Sequence, residues 1–298
     1  MRRMDWMAGA LAAALGLVAA SASAAAVETF QGMAVEVVGQ GRQVLMVPGL
    51  NSGMATWRDT CQALQDVPVQ CHIVQLPGFA GQPAQDDAGF IEPMRQRLQA
   101  YIDQRMGPRP VLAGHSLGGF LALRLAADGG ERIGGVVVVD SLPFFPVAGN
   151  PAATVDSARP MADAMRAQMQ AADEASFRKN ALASLAGMSK DPARLPLLRQ
   201  WSADSDRATT TQAMYELMTT DLRPLLPKVS APVIVFGAWE AYGRFGATKE
   251  STGAIFQAQY AGLPDGKVEM ADTGYHFLTW DAAPWLEGEL RRFLAAHP

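Results

Sequence analysis

The segment PVLAGHSLGGFLALRLAAD, residues 110–128, is the feature that most restricts the fold of this chain. Its first residues predict an apolar strand, GHSLGG predicts a sharp turn, and the apolar residues that follow predict a helix. Gly114 and Gly118 lie two residues to either side of Ser116, where side chains would collide between a closely packed strand and helix. A serine on such a strand–turn–helix elbow exposes its hydroxyl. The sequence therefore predicts that Ser116 is a nucleophile.

Strands and helices alternate on both sides of this elbow. Predicted strands include VEVV, QVLMV, CHIVQL, GGVVVV, APVIVF and KVEMAD, with helices between most of them. This alternation predicts the α/β class, with a doubly wound and mostly parallel sheet. From residue 143 to residue 228 the pattern instead indicates three or four helices and no convincing strand. We therefore expect a core of residues 27–142 and 229–298, with residues 143–228 inserted as a helical cap.

The first 26 residues have the pattern of a cleaved signal peptide. Two arginines precede the apolar run MAGALAAALGLVAA, and small residues follow at ASA, residues 22–24. The run is shorter than the roughly 20 residues that a membrane-spanning helix needs, which argues against the alternative of a retained anchor. Cleavage near Ala24 or Ala26, and a periplasmic or secreted protein, are expected.

Two cysteines, Cys61 and Cys71, are the only ones in the chain. In an exported protein an even count predicts a disulfide, and two buried free thiols are the alternative. The four histidines are scattered and form no cluster with the spacing of metal ligands. We expect no metal and no cofactor.

The charge pattern restricts the partners. The formal net charge is −4, so the chain lacks the basic field that binds nucleic acid or anionic lipid. No apolar run after the N-terminal segment is long enough to span a membrane. A small-molecule acyl substrate, with no nucleic acid and no stable membrane span, is the expectation, for a monomer or a weak homodimer.

A serine hydroxyl needs a base in contact with it, and elimination among the histidines selects His276. His115 adjoins the serine at a turn where neighbouring side chains diverge. His72 opens a strand far from its carboxyl end, and His297 is the penultimate residue. His276 follows the strand KVEMAD, which would bring it to the carboxyl edge of the sheet.

Four motifs in order resemble the α/β-hydrolase superfamily, from about residue 30 to the C-terminus. They are VPGLN, LPGFAGQP, GHSLGG and GYHF. The chain has Pro48-Gly49 where the superfamily usually has His-Gly, and Ala80 and Gln82 depart from its G-x-G-x-S turn. The resemblance implies that fold, a serine hydrolase activity and a helical cap after the strand that follows the elbow.

Two carboxylates compete for the role of orienting His276. Glu240 occupies the G-x-x-acid position that is common in the superfamily, and Asp140 occupies the strand end that a subset, including haloalkane dehalogenases, uses. Both end parallel strands at the edge where α/β sites form. We prefer Asp140, whose shorter side chain at a strand end is better fixed, and keep Glu240 as the alternative. Asp272, four residues before His276, is expected to stabilise the turn in which it lies and not to orient the imidazole.

The oxyanion of acyl transfer needs two preorganised donors. The N–H of Leu117 at the start of the helix is one candidate, and the resemblance implies that the N–H of Leu50 is the other. Asn51 either adds its amide or shapes the turn, and we favour the turn.

Candidates for the substrate pocket are Phe144, Phe145, Trp57 and Trp239. The predicted cap has no cationic cluster placed for a phosphate or carboxylate, so a neutral, fairly apolar carboxylic ester cleaved through an acyl-enzyme is expected. Aminopeptidase, lactonase and perhydrolase activities use the same triad and stay open. So do a lyase that uses Ser116 and His276 for proton transfer, and a binding protein without catalysis.

Overall fold

The computed structural model describes residues 26–297. The predicted signal peptide, apart from Ala26, lies outside these residues. The strands are β1 (Ala26–Phe30), β2 (Met33–Gly39), β3 (Arg42–Val47), β4 (Val69–Gln75), β5 (Val111–His115), β6 (Gly135–Val139), β7 (Val233–Gly237) and β8 (Gly266–Met270). We did not predict β1, because its residues begin where the signal peptide was expected to end.

The strands form one sheet in the order β1-β2-β4-β3-β5-β6-β7-β8. β2 runs antiparallel to both of its neighbours, and β3 to β8 pair in parallel. The predicted mostly parallel sheet is therefore confirmed. Its switch in connection direction lies between β3 and β5, where open α/β sheets place their ligand crevice.

Helices flank the sheet on both faces. They are α1 (Ala55–Ala63), α2 (Ile91–Arg105), α3 (Leu117–Gly129), α4 (Val155–Ala171), α5 (Glu174–Ser184), α6 (Leu195–Asp204), α7 (Arg207–Thr219), α8 (Lys249–Tyr260), α9 (Leu278–Asp281) and α10 (Ala283–Ala296). The sequence of β6 is apolar throughout because both of its faces are covered. Val136 and Val138 pack in the core layer under α2 and α3, whereas Val137 and Val139 pack in the opposite layer with α10.

Residues 143–228 form the segment that we call the helical insertion. It contains α4 to α7, and among the described residues no strand lies between β6 and β7. α5 buries no side chain, whereas α7 buries several, including Ala213 and Leu217. The assignment of the helical insertion as a cap over a site stays a prediction.

The sulfur atoms of Cys61 and Cys71 are bonded in a disulfide that joins α1 to β4. Both side chains are buried. The expected pairing is therefore present, while the compartment that we associated with it stays a prediction. Within residues 26–297, no helix combines the length and apolar character needed to cross a membrane.

Candidate active site

Ser116 lies at the turn between β5 and α3 with φ +53° and ψ −121°. A positive φ is uncommon for a residue with a side chain and costs of order 1–3 kcal/mol, so the surrounding structure must enforce it. The Ser116 N–H donates to the carbonyl of Val139 on the neighbouring strand, at 2.9 Å. The side chain is partly exposed. The turn thus has the backbone of a nucleophile elbow.

Glycines make this turn possible. A Cβ atom on Gly114 would lie 2.1 Å from the carbonyl oxygen of Gly118, and one on Gly118 would lie 2.1 Å from that of Val47. A Cβ on Gly49 would lie 3.0 Å from the Ser116 Cβ. Both glycines of the motif are therefore needed where we expected them, and the turn after β3 lies directly against the serine.

Asp140 follows β6 and has its own strained backbone, with φ +45°. Its N–H donates to the Phe236 carbonyl at 2.7 Å, and its Oδ1 accepts the N–H of Ala238 at 2.8 Å. These bonds fix the carboxylate so that Oδ2 lies 2.6 Å from Nδ1 of His276. Because a carboxylate accepts, Nδ1 of His276 carries the proton and Nε2 keeps its lone pair. His276 in this tautomer can act as a base.

Glu240 is engaged elsewhere. Lys190 Nζ lies 2.6 and 2.8 Å from its two oxygens, and Oε2 also accepts the N–H of Gly274 at 2.8 Å. The hydrogen bond from Lys190 and then that from Gly274 lower the pKa of Glu240. Asp272 is 93% exposed and pairs with Lys249, which lowers its pKa. Of the three candidate carboxylates, Asp140 is the one bonded to His276.

His115 is buried beside the site, and its contact with His276 was not predicted. Its Nε2 donates to the His276 carbonyl at 3.0 Å, and the two ring centroids are 4.5 Å apart. Burial, and then the charge that His276 can carry, hold the pKa of His115 well below its usual value. A neutral His115 therefore supports the loop that carries His276. No local sequence pattern indicates this contact, because the two residues are far apart in the chain.

The other two histidines lie away from the elbow. His72 is buried in β4, with Nδ1 2.9 Å from the Tyr101 hydroxyl. His297 follows α10, with its ring 4.7 Å from that of Phe293.

Two segments place candidate oxyanion donors near Ser116. Leu117 is the first residue of α3, so its N–H has no partner within the helix. Leu50 lies in the turn after β3, next to Gly49. Asn51 has φ +51°, and its Oδ1 accepts the Thr210 hydroxyl of α7 at 2.6 Å. Asn51 thus shapes this turn and ties it to the helical insertion.

The expected pocket residues divide into two groups. Phe144 and Trp57 have no exposed surface. The Phe144 ring packs under the Arg223 guanidinium, and the Trp57 indole N–H donates to the Val47 carbonyl at 3.0 Å. We therefore withdraw both from the substrate pocket, because neither offers a face to a ligand. Phe145 is 44% exposed and Trp239 is half-buried, so both keep an accessible surface.

Groups of three or more His, Cys, Asp or Glu side chains that could hold a metal ion do not occur within residues 26–297.

The sequence profile of the alpha/beta hydrolase family matches residues 44–287. The pimeloyl-[acyl-carrier protein] methyl ester esterase of Vibrio cholerae is 32% identical over 115 residues, which is 39% of this chain and 43% of that protein. A putative carbamate hydrolase of Variovorax paradoxus is 32% identical over 102 residues, 34% of this chain and 38% of its own length. The chain thus spans less than half of the length of these curated relatives.

Solved structures share the fold over most of the chain. A bromoperoxidase from Bacillus anthracis superposes with a TM-score of 0.75 at 15% identity, covering 91% of this chain and all of that one. An esterase from Exiguobacterium antarcticum superposes with a TM-score of 0.71 at 19% identity, covering 88% and 95%. At such identities the likeness is one of fold alone.

Proposed function

This chain belongs to the alpha/beta hydrolase family, and on that premise we propose that it is a serine hydrolase that cleaves carboxylic esters through an acyl-enzyme. The observation that carries the proposal is the 2.6 Å contact between Asp140 Oδ2 and His276 Nδ1. It lies beside the strained turn of Ser116, where the His115 ring packs at a tilt against that of His276. Esterases among the curated relatives support the same reaction class.

In the proposed mechanism, His276 Nε2 takes the proton of Ser116 Oγ as that oxygen attacks the ester carbonyl. The negative charge on the carbonyl oxygen is stabilised by the N–H groups of Leu50 and Leu117, and losing one such donor costs about 3–4 kcal/mol. The imidazolium then gives its proton to the departing alcohol, which leaves an acyl group on Ser116. Water then attacks the acyl carbon as His276 takes its proton, the bond from that carbon to Ser116 Oγ breaks, and the imidazolium returns the proton to Oγ as the acid leaves.

Asp140 has two roles in this scheme. It holds His276 in the tautomer with Nδ1 protonated, and its charge stabilises the imidazolium. The hydrogen bond from Ala238 N–H to Oδ1 keeps the carboxylate from turning away from the ring. Glu240 has no part in the proton transfer.

We propose that the substrate is neutral and fairly apolar, and that the helical insertion covers it. Three cations of the insertion already have partners. Lys190 binds Glu240, Arg223 binds Asp221, and Arg207 donates to backbone carbonyls of residues 169, 170 and 172. An anionic substrate group that met one of these three side chains would have to displace such bonds. The partly accessible Phe145 and Trp239 are the proposed contacts.

Export is a further part of the proposal. It is supported by the arginines, apolar run and small residues of the N-terminal 26 residues and by the Cys61–Cys71 bond. Mass spectrometry of the periplasmic and cytoplasmic fractions tests it. A mature chain cut near Ala24 or Ala26 is expected in the periplasm or medium, and an uncut cytoplasmic chain would contradict it.

Ser116→Ala tests the activity itself. Turnover of p-nitrophenyl esters of graded acyl length should fall by about 10⁴-fold or more, because the nucleophile and its partners act as a unit. Ser184→Ala, at an exposed serine at the end of α5, is the matched control and should keep wild-type turnover.

A fluorophosphonate probe separates hydrolase from lyase. We expect one covalent adduct, on Ser116, in the wild type and in Ser184→Ala. Undiminished ester turnover by Ser116→Ala would overturn the assignment, and a chain that neither labels nor turns over esters would favour the lyase.

A further inference from the structure

The loop that carries His276 is held by a segment of the helical insertion. The loop comprises residues 271–277, between β8 and α9. The Phe277 N–H donates to the Met188 carbonyl at 2.8 Å, and the His276 N–H lies 3.5 Å from the Gly187 carbonyl. We call residues 187–190, which make these and the following contacts, the docking segment.

Asp281, at the end of α9, joins the docking segment to the histidine loop. Its Oδ1 accepts the Ser189 hydroxyl at 2.6 Å. Its Oδ2 accepts two N–H groups, that of Lys190 at 2.9 Å and that of Tyr275 at 2.8 Å. Tyr275 directly precedes His276, so the Asp281 carboxylate fixes the backbone of both the docking segment and the histidine loop.

Glu240 makes a second connection of the same kind. Its Oε2 accepts the Gly274 N–H and the Thr273 hydroxyl, both at 2.8 Å, while its two oxygens hold Lys190 Nζ. The carboxylate that the sequence offered as an alternative acid thus ties the histidine loop to the docking segment.

Aromatic packing adds to these hydrogen bonds. Phe277 stacks on Trp280 with centroids 4.3 Å apart, and Trp201 of α6 packs against Trp280 at 5.8 Å. Phe277 and Trp201 are buried together with Leu198 of the same helix. The helical insertion therefore lies against the histidine loop through both polar and apolar contacts.

The three members of the proposed triad differ in how they are held. Ser116 and Asp140 follow adjacent strands, and their backbones are bonded to the sheet. His276 is on a loop, its carbonyl accepts from His115 of β5, and its neighbours are held by the docking segment, Asp281 and Glu240. A misplacement of about 1 Å can cost a hundredfold in rate, so the contacts that hold the histidine loop bear directly on whether the triad is aligned.

We propose that Asp281 is a positioning residue, which aligns His276 with Asp140 and makes that alignment depend on the docking of residues 187–190. The proposal rests on the proposed function for its kinetic readout only. It gives the helical insertion a second task besides covering the substrate: the insertion holds the catalytic base in place.

Asp281→Ala removes three hydrogen bonds, whereas Asp281→Asn can keep them. In the asparagine variant the carbonyl oxygen can take the position of Oδ2 and accept both N–H groups, and the amide can donate to the Ser189 hydroxyl oxygen. We expect kcat per titrated Ser116 to fall about 10- to 100-fold in Asp281→Ala, with KM within about threefold. Asp281→Asn should stay within about threefold of the wild type.

Asp272→Ala is the matched control. It removes a carboxylate from the same loop, but one that is 93% exposed and pairs with Lys249. Its kcat should equal that of the wild type. Ser189→Ala removes one of the bonds to Asp281, together with the bond from Asp191 N–H within the insertion, without touching the loop. It should lower kcat about threefold.

Proton NMR of the full chain gives a readout that needs no turnover. The far-downfield resonance of the His276 Nδ1 proton, identified by its loss in His276→Gln, should shift or broaden in Asp281→Ala and be restored in Asp281→Asn. If no ester is turned over but this pattern holds, the positioning role stands and the proposed function fails. Unchanged kcat and an unchanged resonance in Asp281→Ala would overturn the positioning role. If Asp281→Ala does not fold, an unchanged kcat and resonance in Ser189→Ala would overturn it.

Discussion

Acid should destabilise this fold through His72, which is 3% exposed in β4. Its Nε2 lies 3.2 Å from the Gln70 side-chain oxygen and its Nδ1 lies 2.9 Å from the Tyr101 hydroxyl. The amide oxygen can only accept, so Nε2 carries the proton and Nδ1 accepts from Tyr101. Burial lowers the pKa of His72 from 6.5 to about 4, against an opposing effect of the Glu28 carboxylate. The native ring is therefore neutral at pH values where an unfolded one is charged.

The free energy of unfolding falls as the pH falls, because the unfolded chain binds the proton at a higher pH than the folded chain. The unfolded chain binds it near pH 6.5 and the folded chain only near pH 4, so the stabilisation is complete above pH 6.5 and is lost as the pH falls toward 4. At about 1.4 kcal/mol per pH unit between the two pKa values, the loss amounts to at most about 3–4 kcal/mol.

Urea unfolding at about pH 7.5 and about pH 4.5 measures this loss. The wild type should lose about 2–3 kcal/mol more between these two pH values than His72→Gln, which cannot titrate. His297→Gln, at the end of α10, is the matched control and should lose as much as the wild type. Equal losses of the free energy of unfolding in His72→Gln and the wild type between these two pH values would refute this prediction.

Three further predictions concern the disulfide, the turn that carries Ser116 and the His115 side chain. Reducing the Cys61–Cys71 disulfide should lower the free energy of unfolding by about 3 kcal/mol, measured by urea unfolding with and without reductant, and no change would contradict this. Gly118→Ala should abolish ester turnover, because its Cβ would lie 2.1 Å from a carbonyl oxygen. Gly149→Ala should keep it, because its Cβ would lie 3.9 Å from the Pro146 carbonyl oxygen, and equal activities of the two variants would contradict this. His115→Phe should lower kcat per titrated serine about five- to tenfold by removing the N–H to the His276 carbonyl, and an unchanged kcat would show that the bond is dispensable.

The elbow was predictable because its constraint is local. The strand, the turn and the helix are contiguous, and Gly114 and Gly118 are required by atoms within the same few residues or on the adjoining strand. The parallel sheet was predictable for a similar reason, since strands such as β6 are apolar along their whole length when both faces are covered.

The sequence left open which carboxylate orients His276, because Asp140 and Glu240 both follow parallel strands at the same edge of the sheet. The difference between them comes from distant residues. Ala238 fixes the Asp140 carboxylate, and Lys190 of the helical insertion binds the Glu240 carboxylate. Neither contact has a signature in local spacing.

The pocket was the least predictable part. Phe144 and Trp57 follow motif residues closely, but packing within the insertion buries Phe144 and packing against the sheet buries Trp57. Apolar composition does not distinguish a core position from a pocket wall. The docking of residues 187–190 on the histidine loop was also not anticipated, because it joins segments that are about 90 residues apart.

Comparing Asp140→Asn with Glu240→Gln tests the central claim, that Ser116, His276 and Asp140 form the catalytic unit. Asp140 accepts from Ala238 N–H with one oxygen and from His276 Nδ1–H with the other, whereas an amide has only one oxygen. If that oxygen accepts from Ala238, the amide NH2 faces Nδ1 and selects the wrong tautomer, so kcat per titrated serine should fall about 10³- to 10⁴-fold. Glu240→Gln, which alters a bond to the loop and not to the ring, should fall no more than about tenfold. A loss of several hundredfold in Glu240→Gln with near wild-type turnover in Asp140→Asn would contradict the account.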